Sequence, residues 1–389
     1  MINRSYISPG TISAIHPEAL THYFHPYAAK FNPRIPCTLL SEFSKPGQLI
    51  LDPFAGSGTT LVEAMAHGCS AVGIDIHPLA ALISRVKTSL LSQKDVKETS
   101  RIANWAAAVA RGIKGISGLF DESIEIKKLP RDVPEFDNRD HWFSKEAQDD
   151  LGILRSRIFS EEGRRVQDFL RVAMSCVVLR ASKQDSETRY KAVERSYKKG
   201  TAIAAFSQKV ISMLNGIEEL SLWVKKGITC DVFNEDIRNE DCRLDQSSCD
   251  LVLTSPPYAN TYDYYLYHKQ RMNWIGLDFR IAKNREIGSR LEFSSQKAPA
   301  EKYFCDMEAA FFNVTKALKK KARCVVIQGD SRIAGIYYSG EDTIRRVAKK
   351  VGLKYESSSS VALSQTSKTF NPAFAAKGKR EHIIILRKN

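Results

Sequence analysis

A chain of 389 residues with 43% hydrophobic content has the length for one large or two medium domains and a buried core. Its net charge of +14 and pI near 9.3 suit a polyanionic partner held through phosphate contacts. No uninterrupted apolar run approaches the ~18 residues of a membrane span, and Met1-Ile-Asn-Arg-Ser-Tyr6 lacks a signal-peptide pattern. The cysteines (Cys37, Cys69, Cys176, Cys230, Cys242, Cys249, Cys305 and Cys324) are scattered without a C-x-x-C pair. They read as small apolar filler in a reduced, cytoplasmic chain and argue against a disulfide scaffold.

In chain order, residues 1–47 form a lead-in that carries His25-Pro-Tyr-Ala-Ala-Lys-Phe31. The apolar run Gln48–Leu51 reads as a strand ending at Asp52. It opens into Asp52-Pro-Phe-Ala-Gly-Ser-Gly-Thr-Thr60, and a helix starts at Thr59. Gly56 and Gly58 allow a tight turn and a close approach to a ligand. No Lys follows the second glycine, so this is not a phosphate-cradling P-loop, and Leu61 stands where a dinucleotide fingerprint needs its third glycine. A second strand, Ala71–Ile74, ends in Asp75, where an acidic side chain can accept both hydroxyls of a ribose. Pro78 suits the first turn of the next helix.

From 90 to 226 the pattern is mainly helical, with apolar residues at helical spacing in Ile102–Ile113, Ala147–Ile158, Val166–Leu179 and Ala202–Val224. The segment Gly115–Arg139 is looser. Arg180–Lys199 is the most basic stretch, with Arg180, Lys183, Arg189, Lys191, Arg195, Lys198 and Lys199 set against Asp185, Glu187 and Glu194. It reads as a charged helix and loop, either solvated or in contact with a polyanion. Strands resume at Ile228–Phe233, Leu251–Leu253, Cys324–Gln328, Lys354–Leu363 and His382–Leu386. The fold class this predicts is α/β: a doubly wound, Rossmann-like sheet in two parts, 48–89 and 227–389, around a large, mainly helical insertion, 90–226.

The strand Asp250–Leu253 leads into Thr254-Ser-Pro-Pro-Tyr258. Two prolines remove backbone donors and leave carbonyls that only accept. Ser255 adds a side-chain oxygen, and Tyr258 a flat ring with a polar tip. Acceptors beside an aromatic face suit a planar heterocycle bearing an amino group. The following Asn260–Arg271 mixes aromatic and basic residues. Tyr264, Leu266, Tyr267 and Trp274 read as a packing helix, Tyr262 and Arg271 are less settled, and a lone His268 reads as structural. Lys377-Gly-Lys-Arg380 suits a phosphate contact or a hairpin tip. The chain has no H-E-x-x-H, Cys–His cluster or carboxylate ladder, so no metal is expected.

These motifs closely resemble those of the amino-methylating DNA methyltransferases, over roughly 22–88 and 227–389. The resemblance implies S-adenosyl-L-methionine at the Asp52–Thr59 element, a flipped base at Ser255-Pro-Pro-Tyr258, and the His25–Phe31 element around the methionine end of the cofactor. It implies an acidic residue against the adenine amino group in Asp231–Asp236, for which Asp236 is the choice. The expected cofactor-binding set is thus Tyr27, Lys30, Asp52, Phe54, Gly56, Gly58, Thr59, Asp75 and Asp236, and the catalytic set Ser255, Pro256, Pro257 and Tyr258. In this family Ser before Pro-Pro is commoner among cytosine-N4 methylases and Asp or Asn among adenine-N6 methylases, which favours cytosine N4. Pro36-Cys37 is similar to the nucleophile dipeptide of cytosine-C5 methylases, but it precedes the cofactor loop where that family places it after.

The implied function is site-specific methylation of cytosine N4 in double-stranded DNA, within a restriction–modification system that pairs it with a cognate endonuclease. The insertion is the implied target-recognition region, and neither membrane nor metal takes part. Adenine-N6 methylation, methylation of an RNA or protein amine or amide, and a non-catalytic DNA-binding role stand as alternatives.

Overall fold

The computed structural model describes residues 20–28, 30–115, 125–363 and 379–389. After a turn at Leu20–His25, helix α1 (Arg34–Phe43) precedes strand β1 (Leu49–Asp52), helix α2 (Thr59–Ala66), strand β2 (Ser70–Ile74) and helix α3 (Pro78–Thr88). The insertion follows with α4 (Gln93–Ile113), α5 (Arg139–Trp142), α6 (Lys145–Phe159), α7 (Arg164–Ala181), a ribbon of β3 (Gln184–Ser186) and β4 (Arg189–Ala192), and α8 (Thr201–Trp223). The chain then returns through β5 (Cys230–Phe233), β6 (Cys249–Thr254), α9 (Tyr264–Trp274), α10 (Arg280–Arg285), α11 (Ala300–Ala317) and β7 (Leu318–Gly329). A short ribbon of β8 (Ser331–Ile333) and β9 (Ile336–Tyr338), then α12 (Gly340–Val351), β10 (Leu353–Leu363) and β11 (Lys379–Lys388) complete it.

The main sheet runs β10-β11-β7-β6-β1-β2-β5. All neighbours are parallel except β11, which is antiparallel to both β7 and β10. From β1 the chain winds outward through β2 to β5, then crosses to β6 on the other side of β1. The switch point therefore lies between β1 and β6, where a crevice opens at the carboxyl ends of the strands. Alternation along the strands sends Leu51, Val252, Val326 and Ile384 to one face, against Met307, Phe311 and Val314 of α11 and Ile344 and Val347 of α12. Ile50, Leu251, Val325 and Ile383 face the other way, against Leu39 and Leu40 of α1 and Leu61 and Ala64 of α2. With both faces covered, these strands read as near-continuous apolar runs, which is why their positions were predictable.

The insertion is helical as expected, and its helices are capped by their own sequence: Ser92 and Asp95 form a capping box on α4, and Ser144 caps α6. Its core is continuous with the sheet's flanking helices, since Ile102, Leu151, Phe169 and Phe206 share one cluster with Leu79 and Ile83 of α3 and Trp274 of α9.

One expectation needs correction here. Arg180–Lys199 is not a helix and loop but carries the β3–β4 ribbon, docked on α9 by Gln184 Nε2 to the Tyr267 carbonyl (3.2 Å) and by Gln270 Nε2 to Tyr190 Oη (3.0 Å). Arg271, left unsettled by the sequence, is fully buried: it donates to the Ser175 carbonyl at 3.0 Å and to Glu187 at 2.7 Å, pinning α9 to α7 and to the ribbon. Periodicity carries no signal for either contact, because both pair residues about 80 or more positions apart. No helix among the described residues is long and apolar enough to cross a membrane.

Candidate active site

The site is built at the switch point. Asp52 ends β1 and Thr254 ends the neighbouring β6, and Thr254 Oγ1 donates to Asp52 Oδ1 at 2.6 Å. This bond ties the two sequence motifs together. Asp52 also accepts from the Phe54 amide at 3.2 Å. Burial pushes its carboxyl up to about 6, against the pull of the Thr254 and Thr60 hydroxyls.

The loop between Asp52 and α2 turns through Gly56 (φ +51°) and Gly58 (φ +76°). At Gly58 a Cβ would fall 2.7 Å from Ser84 Oγ, so only glycine lets α3 approach. From α3, Ser84 Oγ donates to the Gly56 carbonyl (2.8 Å) and Lys87 Nζ to the Ser57 carbonyl (2.6 Å). Burial, with Lys30 nearby, pulls Lys87 down to about 7, against Glu63. Thr59, at the start of α2, keeps a buried hydroxyl without a hydrogen-bond partner among the described residues.

Asp75 follows β2. Its Oδ2 accepts from the Gly56 amide and its Oδ1 from the His77 amide, both at 2.8 Å. A carboxylate offers about four acceptor positions, so roughly two remain. Burial lifts its carboxyl to about 6, partly offset by those two amides. Tyr27 lies beside it, stacked on His268 (4.7 Å between ring centres) and on Tyr264 (5.8 Å), with His77 edge-on. Burial, helped by Arg271, holds His268 neutral, and burial lowers His77 to about 4. Glu286 completes this wall: its Oε1 accepts from the Tyr264 amide at 2.8 Å, and burial pushes it up to about 8.

The Ser255–Tyr258 loop is held from three sides. Tyr303 Oη donates to the Pro257 carbonyl at 2.9 Å, while no described residue donates to the carbonyl of Pro256. Tyr258 packs on Gly329 at the end of β7, where a Cβ would come within 2.6 Å of its ring. Its hydroxyl donates to Glu381 at 2.8 Å, and Ser255 Oγ approaches that hydroxyl at 3.4 Å.

The structure thus brings Tyr27, Asp52, Phe54, Gly56, Gly58, Thr59 and Asp75 to one side of the crevice, and Ser255–Tyr258 to the other. Two expected cofactor contacts have other occupations. Asp236 accepts from Arg238 Nε, Nη2 and backbone amide (2.9, 2.7 and 3.0 Å) and pairs with Arg285 at 3.0 Å. These partners fill its acceptor positions and, against burial, hold its carboxyl below the usual range. Lys30 donates to the His22 carbonyl at 3.0 Å and stands over the Tyr23 ring.

Cys37 sits half-buried in α1, and burial together with Glu63 pushes its thiol up to about 12, the opposite of what a thiolate nucleophile needs. Sequence reasoning missed Glu286, Tyr303, Gly329 and Glu381. None lies in a motif, and each reaches the site only through the fold. The segment with Lys377 lies outside the described residues, while Lys379 and Arg380 begin β11.

Residues 10–85 match the model of a family described as DNA methylase. The chain is 33% identical over 143 residues to the type II methyltransferase M.MvaI of Kocuria varians, covering 36% of this chain and 29% of that protein. It is 42% identical over 81 residues to the type II methyltransferase M.MjaII of Methanocaldococcus jannaschii, covering 21% and 15%. Similarity to the type II methyltransferase M.BsoBI of Geobacillus stearothermophilus is 23% over 302 residues, 73% of this chain and 58% of the relative. The chain therefore spans less than two thirds of the length of each of these relatives. Among solved structures, TrmN from Thermus thermophilus superposes with a TM-score of 0.35 at 10% identity, over 92% of this chain and 49% of that one.

Proposed function

Because this chain belongs to the amino-methylating DNA methyltransferase family, we propose that it methylates the exocyclic N4 amino group of a flipped cytosine in double-stranded DNA. The observation that carries this reading is the Thr254–Asp52 hydrogen bond, which sets the glycine loop and the Ser255–Tyr258 loop side by side at the switch point.

The residues present fit S-adenosyl-L-methionine. Asp75 keeps acceptor positions for two ribose hydroxyls, Thr59 offers a buried hydroxyl without a partner, and Gly56 and Gly58 leave room for close approach. Asp52 and Phe54 shape the pocket, and Tyr27 with His268 and His77 forms an aromatic wall at its methionine end. Lys30 donates instead to the His22 carbonyl within the lead-in. Asp236 orders the β5 loop through Arg238 and Arg285, and would contact adenine only by giving up one of these partners. When bound, the cofactor supplies an electrophilic methyl on sulfur.

Ser255 Oγ and the Pro256 carbonyl accept from the amino hydrogens and keep the nitrogen lone pair aimed across the crevice. Pro257 fixes the loop, and Tyr258 presents its ring to the base. Such alignment can supply up to ~7–11 kcal/mol in well-oriented systems. Ser255 is a small neutral acceptor, which favours cytosine N4 over adenine N6.

DNA is met by the insertion. On and around the β3–β4 ribbon, Arg180, Arg189, Lys191, Arg195, Lys198 and Lys199 are exposed, and the ribbon is docked directly on α9, the helix that follows the catalytic loop. A cognate endonuclease reading the same site is the proposed partner within a restriction–modification pair. Replacement Ser255→Ala or Tyr258→Ala is expected to abolish label transfer to double-stranded DNA, and transfer at the wild-type rate by either variant would overturn the assignment.

A further inference from the structure

We propose that Glu381 is the end of a hydrogen-bond chain, Ser255 to Tyr258 to Glu381, that makes Ser255 an obligate acceptor and carries away the proton the target amino group must lose. This rests on the methyltransferase reading above and adds to it a residue from the last strand of the sheet.

Proton counting sets the role of each hydroxyl. A phenol has one proton, and Tyr258 directs it to Glu381 Oε1 at 2.8 Å. Its oxygen can then only accept, and Ser255 Oγ lies 3.4 Å away in position to donate to it. That contact is long, as such bonds often are before substrate arrives. With its single proton directed to Tyr258, Ser255 presents lone pairs, and nothing else, to an incoming amino group. Were Glu381 neutral or absent, the Tyr258 hydroxyl would be free to turn its proton on Ser255 and occupy one of those lone pairs.

The fold fixes the chain's geometry. Glu381 is the register partner of Gly329 in the β11–β7 ladder, and Gly329 is the residue on which the Tyr258 ring rests. Tyr303 holds the same loop through the Pro257 carbonyl. Burial, with Glu381 beside it, pushes the Tyr258 hydroxyl well above its ordinary range, so it relays a proton and does not hold a charge.

The proton balance closes without any added reagent. An amino nitrogen that gains a methyl carries one proton too many. One N–H bond breaks with its electron pair staying on nitrogen, and the proton goes to Ser255 Oγ. The Ser255 proton moves to Tyr258 Oη and the Tyr258 proton to Glu381. Both hydroxyls end neutral, and Glu381 ends as the neutral acid, which returns its proton to water. Charge developing on nitrogen is thus met, through two hydroxyls, by a carboxylate.

The test is Glu381→Gln, which keeps an oxygen for the Tyr258 hydroxyl but cannot take a proton. Single-turnover methylation of double-stranded DNA is expected to fall by about 10²-fold, the low end for a positioned proton acceptor. Cofactor and DNA dissociation constants measured without turnover should stay unchanged. Glu381→Asp should recover part of the rate, and in a Tyr258→Phe background Glu381→Gln should add nothing, since the chain is already cut. A Glu381→Gln protein with the wild-type rate overturns the proposal. So does one that is slower by the same factor in the Tyr258→Phe background, or slower because cofactor or DNA binding has weakened. A wild-type protein that methylates no DNA would instead overturn the reading on which the proposal rests.

Discussion

Gly329→Ala is the smallest perturbation that separates the catalytic loop from the cofactor pocket. The backbone at Gly329 is not left-handed, so alanine fits it, and the whole effect comes from the added methyl. That methyl would meet Tyr258 Cε2 at 2.6 Å, Cδ2 at 3.0 Å and Cζ at 3.3 Å. Carbon atoms settle at about 3.5–4.0 Å, so the ring must retreat by roughly 1 Å. Tyr258 Oη, held 2.8 Å from Glu381, moves with it, and the Ser255 loop follows. Overpacking of this kind costs about 1–3 kcal/mol of stability, and a misplacement of ~1 Å at a reacting centre can cost ~10²-fold in rate. The assay is single-turnover methylation alongside calorimetric titration of S-adenosylmethionine. The expected result is a rate lower by about two orders of magnitude with cofactor affinity intact, because the loop through Gly56 and Gly58 takes its hydrogen bonds from Asp75, Ser84 and Lys87 on the other side of the crevice. Wild-type methylation by Gly329→Ala would refute the placement of Tyr258, and an equal loss of cofactor affinity would refute the separation of the two sides of the crevice.

Three further outcomes are expected. Thr254→Val removes the donor to a buried carboxylate without changing side-chain size and should cost about 1–3 kcal/mol in urea unfolding; a change below about 0.5 kcal/mol would show that Asp52 does not depend on this bond. Burial raises Glu286 to about 8 in the folded protein from its ordinary value of 4.5, so its contribution to stability is complete below about 4.5 and is lost as pH rises through about 8. Wild type should therefore lose stability relative to Glu286→Gln across that window, and parallel curves from thermal melts would contradict the burial of this carboxyl. Combined Arg189→Ala, Lys191→Ala and Arg195→Ala should lower the salt slope of DNA binding by ~0.9 for each phosphate contact removed. An unchanged slope would place the DNA elsewhere than on the ribbon.

How much of this was legible in the sequence follows from the range of the contacts involved. The strands at Leu49–Asp52 and Cys249–Thr254 were visible because both faces of the sheet are covered there and the apolar runs are continuous. The two loops were visible because glycine and proline chemistry is local. The β3–β4 ribbon was not visible, since Gln184–Ser186 and Arg189–Ala192 are short, polar and held by α9 rather than by their own propensity. Glu381 lies 123 positions from the tyrosine it binds, and only the β11–β7 register brings it there. For Asp236 the family pattern named the position, but nothing in that pattern signalled that Arg238 and Arg285 would occupy its carboxylate.

The central claim is that the crevice between β1 and β6 transfers a methyl group to the amino nitrogen of a DNA base, with cytosine N4 favoured by Ser255. The most direct test incubates the protein with labelled S-adenosylmethionine and double-stranded DNA, then identifies the product by nucleoside mass spectrometry. Labelled N4-methylcytosine is the expected product. N6-methyladenine would preserve the site but contradict the inference from Ser255, and label found on RNA or protein but not on DNA would contradict the claim itself.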